Sequence, residues 1–197
     1  VQANVVKYFA SFDEAIQDFN VEELLQEDEK DTGKGYKIDA LHKMVDSQEL
    51  ASIPLKLESS GTLKMFALYP SLKDVLDHGG TLFVDELNAR LHPLLVRNII
   101  LTFLSPEINT QNAQLIFTTH DVWQFSNELL RRDEIWLVNK NRDGVSELYS
   151  LADFKDEEGN KVRRDEALSK KYMTGSYGAI PALKPMEMLT GRTLDDE

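Results

Sequence analysis

Two short stretches carry the residue types that could do chemistry. In TLFVDELNARLHP, residues 81–93, an apolar run ends in two adjacent acids, Asp85 and Glu86. In AQLIFTTHD, residues 113–121, a second apolar run ends in Thr118, Thr119, His120 and Asp121. A carboxylate at a strand tip suits a hydrated Mg²⁺, a hard cation that takes oxygen ligands and keeps several waters. The acid immediately after it points elsewhere and can orient or deprotonate an attacking water. A histidine opposite can hydrogen-bond a terminal phosphate, and phosphoryl transfer asks for little beyond positioning and charge compensation. Each piece alone is unspecific, since a lone histidine after a strand is usually structural. The acid pair followed by one strand–helix step to Thr-Thr-His is far more specific.

The elements around these residues decide whether they can meet. Residues 81–85, 113–120 and 134–140 read as strands, with helices over 93–105 and 121–132 between them. Pro93 sits in the first turn of one helix, and Asp121 is placed to cap the other. Continuous apolar strands alternating with helices predict a parallel sheet covered on both faces. Ligands of such sheets bind beyond the carboxyl ends of the strands. If 81–85 and 113–120 are neighbours, a strand spacing of roughly 5 Å brings Asp85, Glu86, Thr118 and His120 into one site. Asn141–Gly144 marks a turn, and 145–151 returns as a hairpin partner after the third parallel strand.

Upstream, Val5, Phe9, Phe12, Ile16 and Phe19 give residues 5–27 a helical apolar side. Residues 28–37 form a polar, glycine-bearing loop, and 36–44 and 49–58 read as short strands, the second interrupted by Pro54 and therefore at an edge. A helix follows over 60–77, kinked at Pro70 and stopped by Gly79-Gly80. It opens on ESSGT, where Ser59, Ser60 and Gly61 offer either an ordinary cap or a row of N–H groups for an anion. Trp123 and Phe125 are expected in the core, and His92 as an exposed histidine at a helix start.

Composition narrows the classes. The chain has 197 residues, 42% hydrophobic and 28% charged, with no cysteine. Disulfides and thiolate metal sites are excluded, which fits a cytoplasmic protein. No apolar run reaches the roughly 20 residues of a membrane-spanning helix. The 22 basic against 34 acidic residues leave a net charge of −12, a poor wrapper for DNA. The basic stretch 161–172 reads first as a solvated helix face and second as a nucleic-acid contact.

In order, ESSGT, TLFVDELNARLHP and QLIFTTHD resemble the ABC-like ATPase family that includes RecF, SMC proteins and the overcoming-lysogenization-defect nucleases. The chain looks closest to prokaryotic AAA-type ATPases found beside restriction and phage-defence genes. The resemblance spans roughly residues 38–181. It implies a P-loop α/β fold with ATP and Mg²⁺ as cofactors. ESSGT looks like the signature, with Ser59, Ser60 and Gly61 on the γ-phosphate of a nucleotide held by a second copy. TLFVDE looks like Walker B, with Asp85 on the metal and Glu86 catalytic. LNARLHP looks like the D-loop, with Asn88 crossing a homodimer interface, and His120 looks like the switch histidine. Relatives often work with a nuclease effector, and DNA or RNA is a further candidate partner.

One departure is large. No G-x-x-x-x-G-K-[ST] loop is present: around Gly33-Lys34, Asp28 stands where the first glycine belongs and Gly35 where Ser or Thr belongs. With Val1 at the start, the expectation is one partial ATPase domain, the C-terminal part of a longer protein, with weak or no turnover alone. Residues 1–56 would form a helical and edge-strand segment, 57–151 the signature, Walker B and switch core, and 152–197 a tail. Two other readings stand beside it. One is a nucleotide-independent scaffold that binds nucleic acid or a protein. The other is a metal-dependent phosphohydrolase or nuclease using Asp85, Glu86, His120 and Asp121.

Overall fold

A computed structural model describes residues 2–24, 35–163 and 166–181. The Gly33-Lys34 pair, Arg164 and Asp165 of the basic stretch, and the tail beyond 181 lie outside them. The chain divides into two compact units, Val1–His120 and Asp121–Glu197. The division falls inside the stretch 57–151 that the sequence groups as one core.

The first unit opens with helix α1 (Gln2–Ala10) and a three-stranded antiparallel sheet in the order β1 (Ile16–Leu24), β2 (Gly35–Lys43), β3 (Leu50–Pro54). The long helix expected over 5–27 is therefore wrong. The Asp13 carboxylate accepts from the Ala15 N–H at 3.1 Å and turns the chain after α1. A register shift between Ile16 and Asp18 then adds a residue to β1. That bulge puts Ile16 and Phe19 on the same buried side, three residues apart, and imitates a helical repeat. They pack with Phe9 and Ala40 into one core, edged by Phe12 and Phe66. β3 is the edge strand that Pro54 suggested.

Helix α2 (Ser60–His78) follows and runs through Pro70. Gly79 ends it at φ 81°, with its N–H on the Val75 carbonyl. Then come β4 (Thr81–Val84), α3 (Pro93–Leu104) and β5 (Gln114–Phe117). β4 and β5 pair in parallel, Thr81 opposite Gln114 through Val84 opposite Phe117. This is the expected strand–helix–strand step. α2 packs against β4 and α3 against β5. The burial of this sheet departs from expectation. Leu82, Val84, Leu115 and Phe117 are half-buried, whereas Phe83 is 71% and Ile116 49% exposed. Continuous apolar strands are what a doubly covered sheet needs, but the described residues cover one face.

In the second unit, β6 (Trp136–Lys140) pairs antiparallel with β7 (Ser146–Ser150). The hairpin is as expected; the third parallel strand is not, because β6 belongs to this separate two-stranded sheet. The helix expected over 121–132 is also absent. Asp121 does cap, accepting from the Trp123 N–H at 2.9 Å, but only a 3-10 turn, Val122–Gln124, follows. Ser126 then accepts from Glu128 N through its hydroxyl, and the Asn127 amide donates to the Glu166 carbonyl. Such side-chain bonds compete with a helical ladder. Trp123, expected in the core, is 74% exposed. Phe125 packs against the core of Ile135, Leu137, Leu151, Val162, Leu168 and Tyr177. Helix α4 (Leu168–Met173) leads into an ordered turn that buries Tyr177. Among the described residues no helix is long and apolar enough to cross a membrane.

Candidate functional site

The parallel pairing of β4 and β5 places the two motif ends side by side, as their spacing required. Thr118 joins them. Its hydroxyl donates to Asp85 Oδ1 at 2.5 Å and accepts from the Glu86 N–H at 2.8 Å. The Thr118 carbonyl accepts from the Leu87 N–H at 3.0 Å, and its N–H donates to the Val84 carbonyl at 3.1 Å. The chain can therefore turn out of β4 without losing backbone partners. Glu86 makes that turn at φ 47°, in the left-handed region that non-glycine residues rarely adopt. Both carboxylates are exposed.

Asn88 and His120 also meet. The Asn88 carbonyl oxygen accepts from the Thr119 hydroxyl at 2.9 Å, and its amide nitrogen lies 3.1 Å from His120 Nε2. An amide nitrogen is a donor only, so the imidazole nitrogen facing it accepts. The expected role of Asn88 lies across an interface; within this chain it orients the histidine.

Ser59 caps α2. Its hydroxyl oxygen accepts from the Thr62 N–H at 3.1 Å and lies 2.8 Å from the Thr62 hydroxyl. This is the ordinary capping role. Ser60 and Gly61 occupy the first turn, where N–H groups have no partner inside the helix. Gly61 has a second constraint: a Cβ on it would stand 3.0 Å from the Arg90 carbonyl oxygen. The ESSGT turn and the 87–93 loop thus touch through backbone. His92 caps α3, its Nδ1 accepting from the Leu94 N–H at 3.2 Å.

Two contributors escaped sequence reasoning. Lys64 of α2 donates to the carbonyls of Glu86 and Leu87, at 2.6 and 3.0 Å. Burial lowers its pKa, partly offset by the nearby Glu86 carboxylate. Its one signal is position, four residues after Ser60 on the same helix face. The other is His42 of β2, whose Nε2 lies 2.6 Å from Glu58 Oε1 just ahead of Ser59. Nothing in the local sequence links these two residues, which sit in different elements.

A divalent ion fits Asp85, an exposed carboxylate beside the Thr118 hydroxyl, of the kind that holds hydrated Mg²⁺ together with substrate phosphates. Among the described residues no three His, Asp or Glu side chains converge as an all-protein metal cage would require.

Residues 8–122 match the family described as AAA domain, putative AbiEii toxin, type IV TA system. The chain belongs to this AAA-domain family. The AAA domain is thereby of the P-loop ATPase type, an α/β nucleotide-binding fold. The matched stretch runs from the last turn of α1 to just past His120 and so contains every site residue named above. No curated protein matches the chain.

Proposed function

We propose that this AAA domain is the signature, Walker B and switch portion of an ABC-like ATPase of the RecF and SMC class, and that a phosphate-binding loop from outside these residues completes it. The observation that carries the reading is the joining of two strand ends through Thr118, which bonds the Asp85 carboxylate and the Glu86 N–H, with Asn88 of the following loop beside His120. In this reading Asp85 holds hydrated Mg²⁺, which supplies charge compensation on the phosphates. Glu86, turned out of the strand line by its positive φ, orients the attacking water. His120, held by Asn88, faces the terminal phosphate. The first-turn N–H groups of Ser60 and Gly61 serve a nucleotide on a second copy.

The bare face of β4 and β5 supports the missing loop. Thr81, Phe83 and Asp85 alternate along β4, and Gln114, Ile116 and Thr118 along β5, all exposed and all on one face. An element packed over Phe83 and Ile116 ends at the Asp85–Thr118 pair, where phosphates would lie. The complete protein is then a homodimeric, ATP-driven switch in a DNA-related or phage-defence role, acting with a nuclease effector or on nucleic acid.

A nucleotide-independent scaffold is the second reading. The Ser59 hydroxyl favours it, because that group is already engaged at the helix cap. Magnesium-dependent ATP turnover separates the two, measured for this chain, an N-terminally extended chain and Glu86→Gln in each. Turnover confined to the extended protein and stopped by Glu86→Gln is the expected result. Turnover by the short chain, stopped by the same substitution, would mean that these residues contain their own phosphate cradle. No turnover in any form favours the scaffold.

A further inference from the structure

The ESSGT turn is anchored on its upstream side by a pair of side chains with no role so far. His42 Nε2 lies 2.6 Å from Glu58 Oε1. A carboxylate only accepts, so the imidazole nitrogen facing it donates. The two side chains are 17% and 9% exposed, and little solvent screens the pair. The sheet in turn fixes His42. β2 is the middle strand, and His42 stands opposite Ile16 of β1 on one side and Ala51 of β3 on the other.

Glu58 is a poor neighbour for an anion site. Its N–H closes the turn Leu55–Leu57 onto the Leu55 carbonyl at 3.0 Å, and Ser59, the cap of α2, follows it directly. Acidic groups are favoured at helix N-termini, where the first N–H groups lack partners inside the helix. Left to itself, the Glu58 carboxylate would be drawn to the N–H groups of Ser60 and Gly61. Those are the groups that a phosphate would need. His42 draws the carboxylate the other way, onto β2.

We propose that His42 is a positioning residue of the ESSGT turn. It holds the Glu58 carboxylate on β2 and so keeps the Ser60 and Gly61 N–H groups open to the terminal phosphate of a nucleotide on a second copy, a role that rests on the ABC-like reading of this turn. The antiparallel sheet then belongs to the composite site, although neither His42 nor Glu58 touches the nucleotide.

The test uses the N-terminally extended protein carrying Glu86→Gln, which binds ATP without turning it over. A fluorescent ATP analogue reports the affinity of the single copy at low protein concentration, and analytical ultracentrifugation reports ATP-dependent dimerisation. His42→Leu fills the strand position without a donor. It is expected to weaken the ATP-dependent dimer about tenfold, the scale of one hydrogen bond to a charged group. Single-copy affinity for the analogue should stay within about twofold, because the phosphate cradle lies elsewhere. Adding Glu58→Gln removes the competing charge and should bring the dimer back to within about threefold of the parent. His42→Gln keeps an amide donor and should also stay within about threefold. A defect of folding would lower both quantities together, and a second loss would not reverse it.

If the extended Glu86→Gln protein does not dimerise with ATP, the ABC-like reading itself fails. If it dimerises and His42→Leu leaves the dimer unchanged, the role of His42 alone is overturned. Equal losses in the two quantities, a loss that Glu58→Gln does not reverse, or a tenfold loss in His42→Gln overturn it as well.

Discussion

The ammonium group of Lys64 lies 2.6 Å from the main-chain carbonyl oxygen of Glu86. This contact ties the helix that begins at the ESSGT turn to the residue that ends the β4 motif, where Glu86 sits in the left-handed region. Lys64→Met keeps most of the apolar stem and removes the donor to both carbonyls. A charge-assisted bond contributes about 1.5–3 kcal/mol, and partial exposure reduces that here. Urea unfolding is expected to show a loss of about 1–2 kcal/mol with an unchanged m-value. A loss under about 0.3 kcal/mol would show that solvent replaces Lys64 without cost.

Gly61 and Arg90 approach through backbone on both sides, so neither can move as a flexible side chain would. Arg90 itself sits at φ 66°, which fixes its carbonyl. Gly61→Ala places a methyl group 3.0 Å from that oxygen. Overpacking costs about 1–3 kcal/mol, and the better helix propensity of alanine offsets up to about 1 kcal/mol. A net loss of about 1 kcal/mol is expected in urea. Ser60→Ala, at an exposed neighbour, should stay within about 0.5 kcal/mol. Gain of stability in Gly61→Ala would remove the close approach as the reason for glycine.

Thr118→Val strips the hydroxyl shared by Asp85 and the Glu86 N–H, while Thr118→Ser keeps it. In a hydrolysing, N-terminally extended protein, Thr118→Val is expected to raise the Mg²⁺ concentration for half-maximal turnover about tenfold, on the scale of disturbed outer-shell support at metal sites. Thr118→Ser should restore it. Equal Mg²⁺ dependence in both variants would mean that the hydroxyl does not prepare Asp85.

Glu166 gives the second unit a pH dependence. Burial would raise its pKa, but the Arg163 N–H, the Tyr177 hydroxyl and Lys171 together outweigh burial and hold it below its ordinary 4.5. Its folded pKa is depressed, so its contribution to stability is present above the unfolded value and fades as pH falls through the folded one. Glu166→Gln should therefore destabilise the protein at pH 7, and the gap to the parent should close as the pH drops below 4.5. Chemical denaturation at a series of pH values checks this; a gap that widens toward acid would reverse the sign assigned to the shift.

The residues that end β4 and β5 were legible in the sequence because each signal is local. An apolar run gives a strand, the 60–77 pattern and Pro93 give helices, and the strand–helix–strand order makes parallel neighbours the favoured pairing. Asp85, Glu86, Thr118 and His120 follow from that order alone. Capping by Ser59 and Asp121 is equally local, since donor and acceptor lie within three residues. Only the tertiary structure decided the rest. The Ile16–Phe19 spacing reads as helix until the bulge against β2 shows that it is strand. Trp123 reads as core until its neighbours turn out to form a 3-10 turn rather than a helix. The ties from Lys64 to Glu86 and from His42 to Glu58 join residues 22 and 16 positions apart. They depend on how two elements pack, and no periodicity encodes that. Which face of a strand is covered is set likewise by the elements laid upon it, so an equally apolar β4 leaves Leu82 half-buried and Phe83 in solvent.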